Sequence, residues 1–85
     1  MNYVYFMKSL RNGKVYVGRT TNKPDKRVLE HNNGSNVWSR HNKPFELIYF
    51  EEYYCEIDCA KREAFYKTGI GKKVKKAIIE TFITE

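Results

Sequence analysis

Hydrophobic and polar positions divide this chain into six structured segments. Tyr3-Val4-Tyr5-Phe6-Met7 and Lys14-Val15-Tyr16-Val17-Gly18 are rich in β-branched and aromatic residues, which suit a pleated, half-buried surface and read as strands. Asn12-Gly13 lies between them and supplies the positive φ angles of a tight hairpin turn. With that pair at the turn centre Arg11 faces Lys14, and Tyr5 and Tyr16 project from one face, offset along the ladder by roughly 13 Å. Residues 22–34 read as a short helix: Asn22 is the candidate N-cap, Pro24 suits the first turn, Asp25 favours the positive end of the dipole, and Gly34 closes the C-terminus. Phe45–Tyr53 is a strand with apolar residues on both faces. From Glu56 to Thr68 the residues Ile57, Ala60 and Ala64 recur at helical spacing until Gly69 and Gly71 end the run. A last helix, about Lys72 to Thr84, carries Val74, Ala77, Ile78 and Phe82 on one stripe. The order β-β-α-β-α-α predicts an α+β fold, a small and mainly antiparallel three-stranded sheet flanked by helices, with residues 1–85 forming one domain.

Composition narrows the function classes. A chain of 85 residues with 41% hydrophobic and 15% aromatic residues is too apolar for a disordered tail. No apolar run approaches the length of a transmembrane helix, so no membrane partner is expected. The net charge of +6 favours a polyanionic partner without requiring one. Cys55 and Cys59 are too few to staple a secreted mini-protein and suit buried thiols in a reducing, intracellular setting, cytoplasmic or nucleoid-associated. A zinc-stabilised interaction domain using those cysteines with His31 and His41 is a further reading, although the histidine spacing does not match the usual ligand pairs.

Candidate chemistry gathers on two helices and two strands. Arg27 and His31 stand four residues apart and share a helix face, as do Cys59, Glu63 and Lys67. Each set also has a plain reading: an exposed polar face for the first, a surface ion pair for Glu63 and Lys67, and packing for Tyr5 and Tyr16. Glu51 and Glu52 are adjacent in a strand and point to opposite faces, so they are no glycosidase pair. Gly69-Ile70-Gly71-Lys72-Lys73 is a fragment of a phosphate loop without its leading glycine spacing or its Ser/Thr.

In order along the chain, these residues resemble a known family. Tyr3-Val4-Tyr5 followed after ten residues by Tyr16-Val17-Gly18 is similar to the paired tripeptides that name the GIY-YIG endonucleases, and Arg27, His31 and Glu63 follow in that family's order. Leu29 to Gly34, Phe45 to Glu52 and Ala60 to Glu63 resemble its small, stand-alone branch. Departures are visible: Tyr3 and Val4 replace Gly and Ile, Val17 replaces Ile, Lys23-Pro24 add a residue before Arg27, and Lys75 stands where many members carry Asn.

The resemblance implies metal-dependent hydrolysis of DNA phosphodiester bonds. Glu63 would hold one Mg²⁺ or Mn²⁺, Arg27 would neutralise the scissile phosphate, Tyr5 or Tyr16 would take a proton from water, and His31 would relay that proton or orient a tyrosine. Arg19, Arg40, Lys43, Lys67, Lys72 and Lys73 are the expected contacts to DNA phosphates, with a role in repair or recombination and a protein partner supplying specificity. The alternative is a non-catalytic nucleic-acid-binding module of the same fold.

Overall fold

The computed structural model describes residues 1–82 without the Phe82 side chain; the expected helix end at Thr84, and the place of Phe82 on its stripe, lie outside the described residues. Strands β1 (Asn2–Ser9), β2 (Val15–Thr20) and β3 (Phe45–Tyr53) form an antiparallel sheet in the order β2-β1-β3. Helices α1 (Pro24–Asn32), α2 (Val37–Asn42), α3 (Glu56–Tyr66) and α4 (Gly69–Phe82) accompany it among the described residues. This is the expected α+β architecture with one short addition, α2. Among the described residues no helix is long and apolar enough to cross a membrane.

Alternation along the central strand builds two cores. Val4 and Phe6 pack on one face with Cys59 and Tyr66 of α3. Tyr5 and Met7 pack on the other with Val28 of α1 and Phe45. Because helices cover both faces, β1 is apolar on both. A bulge opposite Phe6 and Met7 pairs Phe6 with Tyr49 and Met7 with Leu47, so Ile48 joins Tyr49 on the Val4 face.

The hairpin register differs from the tight-turn expectation. Tyr5 pairs with Gly18 and Met7 with Tyr16. The fully buried Ser9 hydroxyl accepts hydrogen bonds from the amides of Arg11 and Asn12, at 3.2 and 3.3 Å, and so draws a longer loop back over itself. The ladder shifts by two residues. An even shift leaves Tyr5 and Tyr16 on one face but halves their offset to about 7 Å.

Helix boundaries shift for similar local reasons. Lys23, not Asn22, precedes α1, and Pro24 opens it without a side-chain cap. On α3 the expected stripe does not face the sheet: Ile57 and Ala64 are exposed, while Cys59 and Tyr66 are buried. Gly69 and Gly71 belong to the first turn of α4 rather than to the end of α3. Thr68 Oγ1 accepts the Gly71 amide at 3.0 Å, and a Cβ at Gly71 would stand 1.7 Å from the Phe65 carbonyl oxygen. Gly71 is therefore needed for the close approach of α4 to α3.

A polar network locks α3 to the Val4 face. Glu51 accepts hydrogen bonds from the hydroxyls of Tyr49 and Tyr53, each at 2.7 Å, from Tyr66, and from Arg62 Nε at 3.1 Å. Burial opposes ionisation of Glu51, but the Tyr66, Tyr53, Tyr49 and Arg62 donors outweigh it and hold the carboxyl below its usual value. Burial and the same carboxylate push Tyr49 and Tyr53 up to about 12.

A carboxyl depressed in the native state stabilises the fold fully above the unfolded Glu value, near ~4.3, and that contribution is lost as pH falls through the native value. Thermal melts should therefore show a midpoint that falls as pH drops below that range, with a flatter acid limb in Glu51→Gln. Urea unfolding at neutral pH should find Tyr66→Phe less stable by about 1–3 kcal/mol, since it removes a donor from a largely buried carboxylate. Wild-type stability in Tyr66→Phe would deny the network this role.

Candidate active site

A phenol in a strand covered on both faces must deliver its hydroxyl to a partner. Tyr5 is 3% exposed, and its ring lies across the β2 backbone at Gly18, where an added Cβ would stand 2.5 Å from both Cζ and the hydroxyl oxygen. The absence of a side chain at Gly18 thus lets the Tyr5 hydroxyl reach the edge strand. There it meets His31 Nε2 at 3.0 Å, and His31 Nδ1 lies 2.6 Å from Ser39 Oγ.

Two further contacts hold that imidazole in place. Asn32, the next residue on α1, accepts the Phe45 amide at 2.6 Å and donates to the Phe45 carbonyl at 3.0 Å, fixing α1 to the start of β3. Asn36 caps α2 by accepting the Ser39 amide at 2.8 Å, which places Ser39 under the ring. His31 is therefore buried and bonded at both nitrogens, not part of the exposed polar helix face that its sequence also allows. Burial, reinforced by the Arg27 charge and opposed by Glu30, lowers its pKa and favours the neutral imidazole.

Arg27 and Glu63 bring opposite charges to the same phenol. Burial raises the Tyr5 pKa, the Arg27 charge opposes that rise, and the Glu63 and Glu30 charges add to it. Arg27 also pairs with Glu30 at 3.1 Å. Glu63 comes from α3, on the other side of the sheet, and reaches the β2 edge, where it lies 3.7 Å from Arg19 Nε; Lys67 Nζ is also 3.7 Å away. The fold thus gathers Tyr5, Arg27, His31 and Glu63 at the Gly18 edge.

Tyr16 occupies an adjoining but separate place. Its hydroxyl donates to Asn42 Oδ1 at 3.3 Å, and its ring meets Trp38 and Phe45 edge-on, at 4.5 and 6.1 Å between centroids. Arg19 and Lys67 sit against Glu63, Arg40 lies on α2, Lys43 follows it, and Lys72 and Lys73 are exposed near the start of α4. Lys75 donates to the Val15 carbonyl at 3.4 Å, tying α4 to the residue before Tyr16. Ser39, Asn42 and Gly18 act through partners on other elements that local pattern does not reveal; the one local signal for α2 is the Asn36/Ser39 spacing of an N-cap.

Metal chemistry rests on a small donor set. Among the described residues no three His, Cys, Asp or Glu side chains form a cluster. Cys59 lies in the Val4-face core, Cys55 is exposed, and His31 is engaged by Tyr5 and Ser39, so the zinc reading has no assembled ligand set. Glu63 is partly exposed and, among the described residues, held by loose ion pairs, a hard oxygen donor suited to a cation that keeps most of its waters. Glu51, by contrast, is saturated by its own donors.

Comparison with known proteins agrees with this geometry. The GIY-YIG catalytic domain family model matches residues 1–77. A UPF0213 protein of Clostridium perfringens is 37% identical over 68 residues, covering 79% of this chain and 71% of the relative. A UPF0213 protein of Staphylococcus saprophyticus is 31% identical over 80 residues, covering 93% and 95%. No solved structure matches at significant similarity. With its tripeptides at Tyr5 and Tyr16, its sheet order and a family match over nearly its whole length, the chain belongs to the GIY-YIG family of nuclease catalytic domains.

Proposed function

We propose that this protein is an endonuclease that hydrolyses DNA phosphodiester bonds with one divalent cation. The observation that carries the reading is the Tyr5 hydroxyl crossing Gly18 to bond the buried His31, with Arg27 one turn before His31 on α1 and Glu63 of α3 reaching the same β2 strand at Arg19. Hydrolysis needs a proton acceptor for water and positive charge against the phosphate, and these residues supply both.

The His31 tautomer that gives its Nδ1 hydrogen to Ser39 leaves Nε2 to accept from the Tyr5 hydroxyl. Tyr5 can then take a proton from water as its own passes to His31, which spares the cost of ionising a buried phenol. Arg27 presents a planar, permanently charged fork to the phosphate, and its pairing with Glu30 orients it. Mg²⁺ or Mn²⁺ held at Glu63 would supply further positive charge where the phosphate becomes more negative. Arg40, Lys43, Lys72 and Lys73 are exposed cations for the DNA backbone, while Arg19 and Lys67 balance Glu63 until a substrate or cation competes for it. The two free thiols suit an intracellular setting.

Glu63→Gln should keep the fold and DNA binding yet lose cleavage in Mg²⁺ or Mn²⁺; cutting at the wild-type rate would remove Glu63 as the metal ligand.

Arg27→Ala should lower single-turnover cleavage at saturating protein by about 10² or more while DNA affinity changes less than about tenfold. An equal loss in both would make Arg27 an ordinary phosphate contact.

Tyr5→Phe keeps the ring over Gly18 and removes the hydroxyl. Its cleavage rate should fall by ~10² to 10⁴ and its pH-rate profile should lose an ionisation, with a smaller loss in Tyr16→Phe. Should both variants cut normally from neutral to alkaline pH while His31→Ala is dead, His31 is the base.

A further inference from the structure

Trp38 is the chain's one tryptophan, and the hydrolytic scheme leaves it without a task. Its ring stacks on Phe45 at 5.5 Å and 14°, and meets Tyr16 at 4.5 Å and His31 at 6.0 Å, both close to perpendicular. Despite three aromatic neighbours the residue remains 40% exposed. An indole clamped in this way has little freedom left to lose when a ligand covers it.

The segment that carries Trp38 is cationic. From His31 to Phe45 the chain carries Arg40 and Lys43 and no Asp or Glu. Arg11 adds a third cation, for its Nη1 donates to the His41 carbonyl at 3.2 Å. An immobilised aromatic surface on a segment that carries Arg40 and Lys43 and no acidic residue fits a flat, electron-rich ring carried on a phosphate chain.

We infer that Trp38 is the stacking platform for an unpaired nucleobase next to the phosphate handled by Arg27. This rests on the nuclease reading and extends it to substrate class. Bases inside a duplex are stacked on one another and present no free face, so the platform selects strands with unpaired nucleotides. Contact with Tyr16 and His31 would place that base beside the reacting centre, coupling recognition to the position of the cleaved bond.

As the sole tryptophan, Trp38 reports on itself. Wild-type protein in chelator, so that no strand is cut, is titrated with a short oligothymidylate, an abasic strand of equal length and a blunt duplex. Saturable quenching of Trp38 emission by the oligothymidylate, with little by the other two, is expected. Anisotropy of a labelled oligothymidylate should show affinity at least about fivefold weaker in Trp38→Ala, and within about threefold of wild type in Trp38→Tyr, which keeps an aromatic face over Phe45. Unchanged emission while the strand binds, or equal quenching by the abasic strand, overturns the inference. Cleavage of the same strand in Mg²⁺ or Mn²⁺ is scored separately: cutting without base-dependent quenching sinks the platform and leaves the nuclease, while base-dependent quenching without cutting does the reverse.

Discussion

The Tyr5 hydroxyl is the constraint on which the rest of this site depends. β1 is covered on both faces, so a phenol there must bury its ring and still satisfy a polar atom, which in a dry setting costs about 1–3 kcal/mol if unpaired. Gly18 opens the way across β2, and His31 supplies the partner. A side chain at Gly18 would push the ring aside and separate the phenol from the imidazole. The second tripeptide therefore shapes the site through what its last residue lacks.

Two carboxylates on the other side of the sheet show how similar groups take different roles. Glu51 is enclosed by three tyrosine hydroxyls and Arg62, which use its lone pairs and keep it ionised as a structural anchor for α3. Glu63, on the helix so anchored, has only ion pairs at 3.7 Å and stands at the sheet edge. The saturated group holds the helix, and the loosely held one stands at the β2 edge. Positioning Glu63 in this way requires α3 to turn Cys59 and Tyr66 inward, against the stripe that Ile57, Ala60 and Ala64 suggest.

The short helix α2 binds the two tyrosine environments together. Ser39 supports His31, Asn42 receives the Tyr16 hydroxyl, and Trp38 packs between Tyr16 and Phe45. A helix of six residues has almost no intrinsic stability and forms here because Trp38, Ser39 and Asn42 are held by Phe45, His31 and Tyr16. Its cap, Asn36, and the paired contacts of Asn32 with Phe45 set where those side chains arrive.

Much of the fold was legible because it depends on local periodicity. The β-branched and aromatic runs marked β1 and β2, Phe45–Tyr53 matched β3 at both ends, and the ordered set Tyr5, Tyr16, Arg27, His31, Glu63 pointed to the family before any geometry was known. The shared face of Tyr5 and Tyr16 followed from the period of two and survived the register shift, because that shift was even. What the sequence could not decide were contacts between one structural element and another. Ser9 buries its hydroxyl by donating to the Asn42 carbonyl at the end of α2, Glu51 selected the inward face of α3 through Tyr66, and Gly71 became a close-packing residue because Phe65 of α3 lies beneath it. His31 could be read as a solvated helix residue until Ser39 and Tyr5 closed on its two nitrogens. Local pattern determines which elements form and which residues share a face; only tertiary packing decides where a buried polar group finds its partner, since that partner lies on another element.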